Sequence, residues 1–219
     1  MNTNIVLKHG SHNKFADGSC ALEWVDYLDR SRRGVPVAPT DHLTDAPACV
    51  CPVLRNFVVS WNDSLRSDEE RTRILGPVLP RLLDTRSTRD VERRRSAMAL
   101  DWLIRTFTPA WLDLAKLASE AKALRGLPEI VDLSGLLAAQ PLLDAAREKA
   151  AVAWDAAGAV AWDAARAVAR DAAGAVARDA AWDAAWDGAW AAAWDALAPT
   201  VAELQVSALA LLDRMIDVR

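Results

Sequence analysis

The sequence holds little of what usually marks an active site. It has three His, three Cys and a single Tyr in 219 residues. An odd cysteine count excludes a fully paired disulfide framework and points to a reducing compartment, the cytoplasm. No glycine-rich phosphate loop, no Gly-x-Ser-x-Gly elbow and no His-Glu-x-x-His pair occurs. No charge-free run approaches the ~20 residues that span a bilayer. The opening MNTNIVLKHG lacks the apolar core of a secretory signal. A cytoplasmic protein with no membrane association is therefore expected. No segment is strongly basic. Residues 1–142 carry 18 acids and 19 bases, and residues 143–197 carry nine acids and five bases. Electrostatics alone gives no reason to expect a nucleic-acid partner. No stretch alternates apolar and polar residues with period two, so no sheet is expected.

What the sequence does hold is an unusual tract from about Ala150 to Ala198. Every fourth position from Trp154 reads Trp154, Gly158, Trp162, Arg166, Arg170, Gly174, Arg178, Trp182, Trp186, Trp190 and Trp194. An Asp often follows, and Val152, Val160, Val168 and Val176 recur every eight residues within a background of Ala. Ala loses no side-chain entropy on ordering, so the tract is a strong helix former. No proline lies between Pro141 and Pro199. The simplest expectation is one helix of about 55 residues, roughly 80 Å long, with Pro141 at its first turn and Pro199 as a stop or restart. A hairpin folded near Gly174 is the alternative, with Gly158 and Gly188 as further candidate breaks.

A period of four does not match a helix of 3.6 residues per turn. Successive members of the stripe are offset by about 40° and wind around the helix. Trp182, Trp186, Trp190 and Trp194 cover about 120° of arc. That arc is a candidate interaction surface for a protein partner or for a second copy of the chain.

Upstream of the tract the pattern is a set of shorter helices. One is expected from near Cys20, capped by Asp17 or Ser19, and residues 34–50 with three prolines should form a long loop. Cys51-Pro52 opens a helix with Val53, Leu54, Phe57, Val58 and Trp61 on one face. Ser67-Asp68-Glu69-Glu70 is a capping box. A helix of about 88–107 follows, then one from Thr108-Pro109 to about Leu124, then a short piece from Pro128. A final helix is expected from about Pro199 to Val218. The fold class is all-α: a multi-helix domain over 1–142, and a repeat helix or hairpin plus C-terminal helix over 143–219.

Several short motifs carry a resemblance. They include Asp17-Gly18-Ser19-Cys20-Ala21-Leu22-Glu23, Asp45-Ala46-Pro47-Ala48-Cys49, Glu92-Arg93-Arg94-Arg95-Ser96, Asp101-Trp102-Leu103 and Pro109-Ala110-Trp111-Leu112. The chain resembles a family of uncharacterised proteins of high-GC Gram-positive bacteria and their phages, many with similar Ala-rich tracts. The resemblance implies no particular activity. Many members place a His directly after the Asp that matches Asp45, where this chain has Ala46.

The reactive side chains concentrate in residues 9–63, which hold His9, His12, His42, Cys20, Cys49, Cys51, Glu23, Asp45 and Asp63. His12, Cys20, Asp45 and Cys49 are the residues that would suit a tetrahedral zinc site, although Cys-x-Cys is not a recognised zinc spacing. Cys20, with Glu23 beside it and His9, His12 or His42 as base, His12 being the candidate, is the arrangement that would suit a thiolate nucleophile at a helix start. Against both stands the plainer reading: small buried thiols, with carboxylates that cap helices or pair with arginine. One residue of the Arg93–Arg95 run is expected to turn inward toward Glu23, Asp63 or Asp101. The expected function is a non-enzymatic helical scaffold or protein-interaction protein without a cofactor. The alternative is a small metal-binding or cysteine-dependent enzyme with its site in residues 9–63.

Overall fold

The computed structural model describes the backbone of residues 5–170 and 175–219, and the side chains of residues 5–152 and 195–219. Within these residues the protein is all-α. Eight α-helices follow one another: α1 (Ala21–Arg32), α2 (Pro52–Ser64), α3 (Asp68–Leu75), α4 (Arg89–Trp102), α5 (Thr108–Leu114), α6 (Ala118–Arg125), α7 (Leu133–Arg170) and α8 (Ala175–Asp217). Among the described residues the extended pairing is one isolated parallel bridge between Leu7 and Ser19.

The chain divides into two compact units, Met1–Ser96 with Leu212–Arg219, and Ala97–Leu211. The change of composition at 142/143 falls inside the second. The first unit packs α1, α2 and α3 around Leu22, Leu54, Val58, Leu75, Leu79 and Leu82, all fully or nearly fully buried. Leu212 and Met215 of the end of α8 are buried in the same unit. The second unit has a core of Ile104, Leu112, Ala121, Leu124, Ile130, Ala139 and Ala146.

Helix starts follow their local chemistry. α2 opens at Cys51 with Pro52 in its first turn, where a missing N–H costs nothing. α3 opens at Ser67, whose hydroxyl accepts from Glu70 N at 3.2 Å. α1 opens later than its expected caps, one residue after Ser19 and three after Asp17. Cys20 itself is the N-cap, in a capping box with Glu23.

Four expectations about helix ends are corrected. The helix expected over 88–107 ends at Trp102 and passes through a wide π-turn, Leu103–Phe107. Pro109 has no N–H for the carbonyl four residues back, and the Thr108 hydroxyl donates to Leu103 O at 2.8 Å, so the chain widens instead of restarting from a cap. The helix expected from Thr108 to Leu124 is two helices. Lys116 takes φ +63°, and Leu117 N donates to Leu112 O at 2.8 Å, a left-handed C-terminal turn that breaks the run. Pro141 lies inside α7, which starts eight residues earlier at Leu133. Pro199 lies inside α8 and neither stops nor restarts it. An interior proline costs ~3 kcal/mol in an isolated helix; here the Ala-rich flanks and the buried last turns offset it. Gly158 and Gly188 do not break the helices that contain them. Gly174, the expected hairpin point, lies outside the described residues.

Candidate functional site

The segment before α1 is held by side chains, not by a ladder. Glu23 is 1% exposed. Its carboxylate accepts from Cys20 N at 2.8 Å, from His12 N at 2.7 Å and from His12 Nδ1 at 2.8 Å. A buried carboxylate is costly unless paired and hydrogen-bonded, and three donors with an imidazole meet that demand. One turn from the end of α2, buried Asn62 reaches both neighbours. Its Oδ1 accepts from Ala21 N at 3.2 Å, and its Nδ2 donates to Lys8 O at 3.0 Å and to Asp63 Oδ1 at 2.9 Å. Asp63 also accepts from Gly10 N at 3.0 Å. Those bonds outweigh desolvation and hold the Asp63 carboxyl below the usual carboxylate range. Gly18 sits at φ +121°, where an added Cβ would meet Lys8 Cγ at 2.6 Å. A side chain there would push the segment off α1.

His12, Cys20 and Glu23 are thus brought together. Their arrangement does not favour a nucleophile. Burial pushes the Cys20 thiol up to about 12, and the nearby Glu23 and Asp45 charges push the same way. A reactive thiolate needs an electropositive, accessible setting. Here the N–H groups at the start of α1 are taken by Glu23 and Asn62.

Cys49 lies elsewhere in the unit. It is half-buried beside the Asp84 backbone, with Asp29 and Arg32 close by, and desolvation raises its thiol above the ordinary range. The candidate zinc residues His12, Cys20, Asp45 and Cys49 are therefore split. Among the described residues no group of three or more His, Cys, Asp or Glu is placed to hold a metal ion.

The carboxylate partners expected for the arginine run are corrected. Glu23 pairs with His12 and Asp63 with Asn62, while Asp101 pairs with Arg105 at 3.0 Å. Arg95 does turn inward, to 2% exposure, but it meets carbonyls. It donates from Nε to Met215 O at 2.7 Å, from Nη1 to Thr85 O at 2.6 Å and from Nη2 to Val218 O at 3.0 Å. A cation at the C-terminal end of α8 is favoured by the orphan carbonyls and the helix dipole there. Arg93 stays at the surface with Asp90 at 2.9 Å. Arg94 donates to the Arg219 backbone oxygen.

Two further groups went unnoticed in the sequence. Buried Arg71 of α3 donates to Asn62 O at 2.8 Å and to Leu65 O at 2.8 Å, and pairs with Asp68 at 2.7 Å. Arg32 bridges Asp29, at 2.7 Å, to Asp84, which holds φ +59°. The only signal of either was an arginine three residues from an acid on a helix, a spacing found on many solvated helices.

The second unit presents a different surface. Leu133 and Leu137 of α7, with Val131 before them, are exposed by 64–68%. A groove of about 320 Å³ runs along Thr108, Leu112, Gln140, Leu143, Ala146 and Arg147. Asp195–Asp217 of α8 is long and apolar enough to cross a membrane, with a mean hydropathy of 1.3 over its best window, of which 22% is buried. The Trp182, Trp186, Trp190 and Trp194 side chains, the expected interaction surface, lie outside the described residues. No protein family, no curated protein and no solved structure matches this chain.

Proposed function

We propose that the protein is a helical scaffold that works by binding a protein partner or a second copy of itself, without catalysing a reaction. One observation carries the reading. Glu23, His12 and Asp63 of the 9–63 region are committed to holding the N-terminal segment on α1 and α2, with the help of Asn62: Glu23 with His12 and Cys20 N, Asn62 with Lys8 and Ala21, Asp63 with Gly10. A thiol at about 12 beside them stays protonated at neutral pH. In support, large apolar side chains stand exposed on α7 and α8, such as Leu133, Leu137 and Val206. The four-residue Trp pattern of the sequence adds Trp182, Trp186, Trp190 and Trp194 as the contact surface. Each Trp can bury ~150–250 Å², so four of them suffice for a real interface.

Sedimentation velocity over a hundredfold concentration range tests this. The chain should self-associate, or bind its partner, in a way that Trp186→Ala with Trp190→Ala abolishes while the fold stays helical. Unchanged size and unchanged melting in that double variant would remove the Trp stripe as the contact. Rapid native labelling of Cys20, or loss of cooperative melting in chelator, would overturn the scaffold reading in favour of a thiol or zinc centre.

A further inference from the structure

We propose that the cavity between the 83–87 loop and the C-terminal end of α8, inside the first unit, is a binding site for a phosphate dianion, free or carried on a small monoester. The cavity measures about 210 Å³ and is lined by Arg81, Asp84, Arg86, Ser87, Arg95 and Arg219 among others.

Its charge is unbalanced in a specific way. Arg95 is buried, yet every acceptor it has is a backbone carbonyl: Thr85, Met215, Ile216 and Val218. Buried charges are normally matched by an opposite charge, and carbonyl dipoles answer this one only in part. The one acid on the lining, Asp84, is taken: both of its oxygens are held by Arg32, one of them at 2.6 Å. Arg86 forms an ion pair with Glu92 at 3.7 Å, too long for a hydrogen bond, so its N–H groups stay free of that carboxylate. Arg81 is held at the rim by Asp213 and by Asp217, the latter at 3.5 Å.

The donors also suit the shape. Arg95 is fixed in orientation by its carbonyls, which take four of its five N–H groups, so it offers the cavity one further Nη1 N–H and its positive charge. Arg86 and Arg219 are long and exposed, and they can close over an anion from the solvent side. Ser87 adds a hydroxyl at the entry to α4. Guanidinium donors converging from several sides match a tetrahedral oxyanion. The volume is about seven waters at ~30 Å³ each. It falls below the ~300–1,000 Å³ of drug-sized ligand pockets, so a phosphate with a short stem fits and a nucleotide does not.

The test uses the full chain. Calorimetric titration and thermal melting are run with inorganic phosphate and with glycerol 3-phosphate, each against sodium chloride at equal ionic strength. Arg86→Ala and Arg219→Ala remove exposed side chains, so the fold should persist, and each should weaken binding about tenfold or more. Arg93→Ala, off the cavity, should leave binding unchanged. Tighter binding of glycerol 3-phosphate identifies a phosphorylated small molecule as occupant; equal or tighter binding of inorganic phosphate identifies the free ion. Absence of binding to both, or a loss in Arg93→Ala equal to that in Arg86→Ala and Arg219→Ala, overturns the site.

Discussion

The two units bury different things. All the buried polar and charged residues among those described lie in the first unit: Ser19, Glu23, Asp26, Asp29, Asn62, Arg71, Thr85 and Arg95. The second unit buries Leu, Ile and Ala. The contrast follows from chain geometry. The first unit has long irregular segments, 5–20 and 33–51, laid against helices. Backbone groups in such segments have no ladder to satisfy them, and a buried one without a partner is costly. Side chains from the helices and from the loop before α4 therefore supply the partners. Asp26 accepts from Thr44 N at 3.1 Å, and Thr85 Oγ1 accepts from Cys51 N at 3.1 Å. In the second unit the helices satisfy most of their own backbone, and the side-chain bonds, such as Ile130 N to Asp101 at 2.8 Å and Trp102 Nε1 to Ser207 at 2.8 Å, lie at the edge of an apolar core. Both units have an apolar core, and the first adds buried directional bonds to it.

The sharpest way to break this contrast is Arg95→Ala. It leaves three or four carbonyls near the end of α8 without their donor. A loss of about 3–5 kcal/mol is expected, as for removing one side of a buried charged interaction, read from urea unfolding. A loss under 1 kcal/mol would mean that water replaces the guanidinium easily. In the second unit the counterpart is Leu124→Ala, at a fully buried position. It should cost about 2–4 kcal/mol through lost burial and a cavity, and Leu124→Met should recover most of it. If the conservative change is as harmful as Ala, packing volume is not what holds that unit.

Glu23→Gln probes the directional bonds more gently. The shape is kept, but a charged acceptor becomes a neutral amide whose NH2 faces the Cys20 and His12 donors. A cost of about 1–3 kcal/mol is expected, with faster amide exchange at His12 and Cys20. Unchanged exchange there would show that the segment is held without Glu23.

The smallest effect is that of acid. The Lys8 hydrogen bond lowers the Asp68 carboxyl, and the bonds to Asn62 and Gly10 lower that of Asp63 despite desolvation. A carboxyl whose folded value lies below its unfolded one binds fewer protons when folded. Its contribution is present above the ordinary Asp range near 4 and is lost as pH falls through the folded value. Asp68 is largely exposed to screening, so its share is slight. Asp63→Asn should lower stability at pH 7, where the contribution is present, and match the parent in strong acid, so that its profile is flatter below about pH 4. An unaltered acid profile would show that Asp63 is not coupled to folding.

Much of the local structure was readable in residue order. Pro52 after Cys51, Ser67 before Glu70, and the apolar face of Leu54 and Val58 act within one or two turns of chain. Breaks were harder to read. Lys116 carries no glycine signal, yet it adopts the left-handed turn because Leu112 and Leu117 close around it. Pro199 looked like a stop from composition alone, and the helix runs through it. At the 9–63 cluster, His12 reaches Glu23 through a fold that spacing does not show, whereas the sharing of one helix turn by Cys20 and Glu23 was legible. The separate address of Cys49 was not, since it depends on how residues 33–51 fold back.

What the sequence determined by itself is the class and the grain of the molecule: an all-α fold, the starts of helices such as α2 and α3, and a tract whose period of four fits no flat seam. Those are short-range matters of propensity, capping and spacing. Only the tertiary structure decided which buried charge meets which partner. Arg95 found carbonyls some 120 positions away in place of a carboxylate, and Glu23 found an imidazole in place of a guanidinium. Burial raises the cost of an unmatched polar group, and the group that answers it is the one the fold brings within 3 Å, not the one that complementary charge on paper would choose.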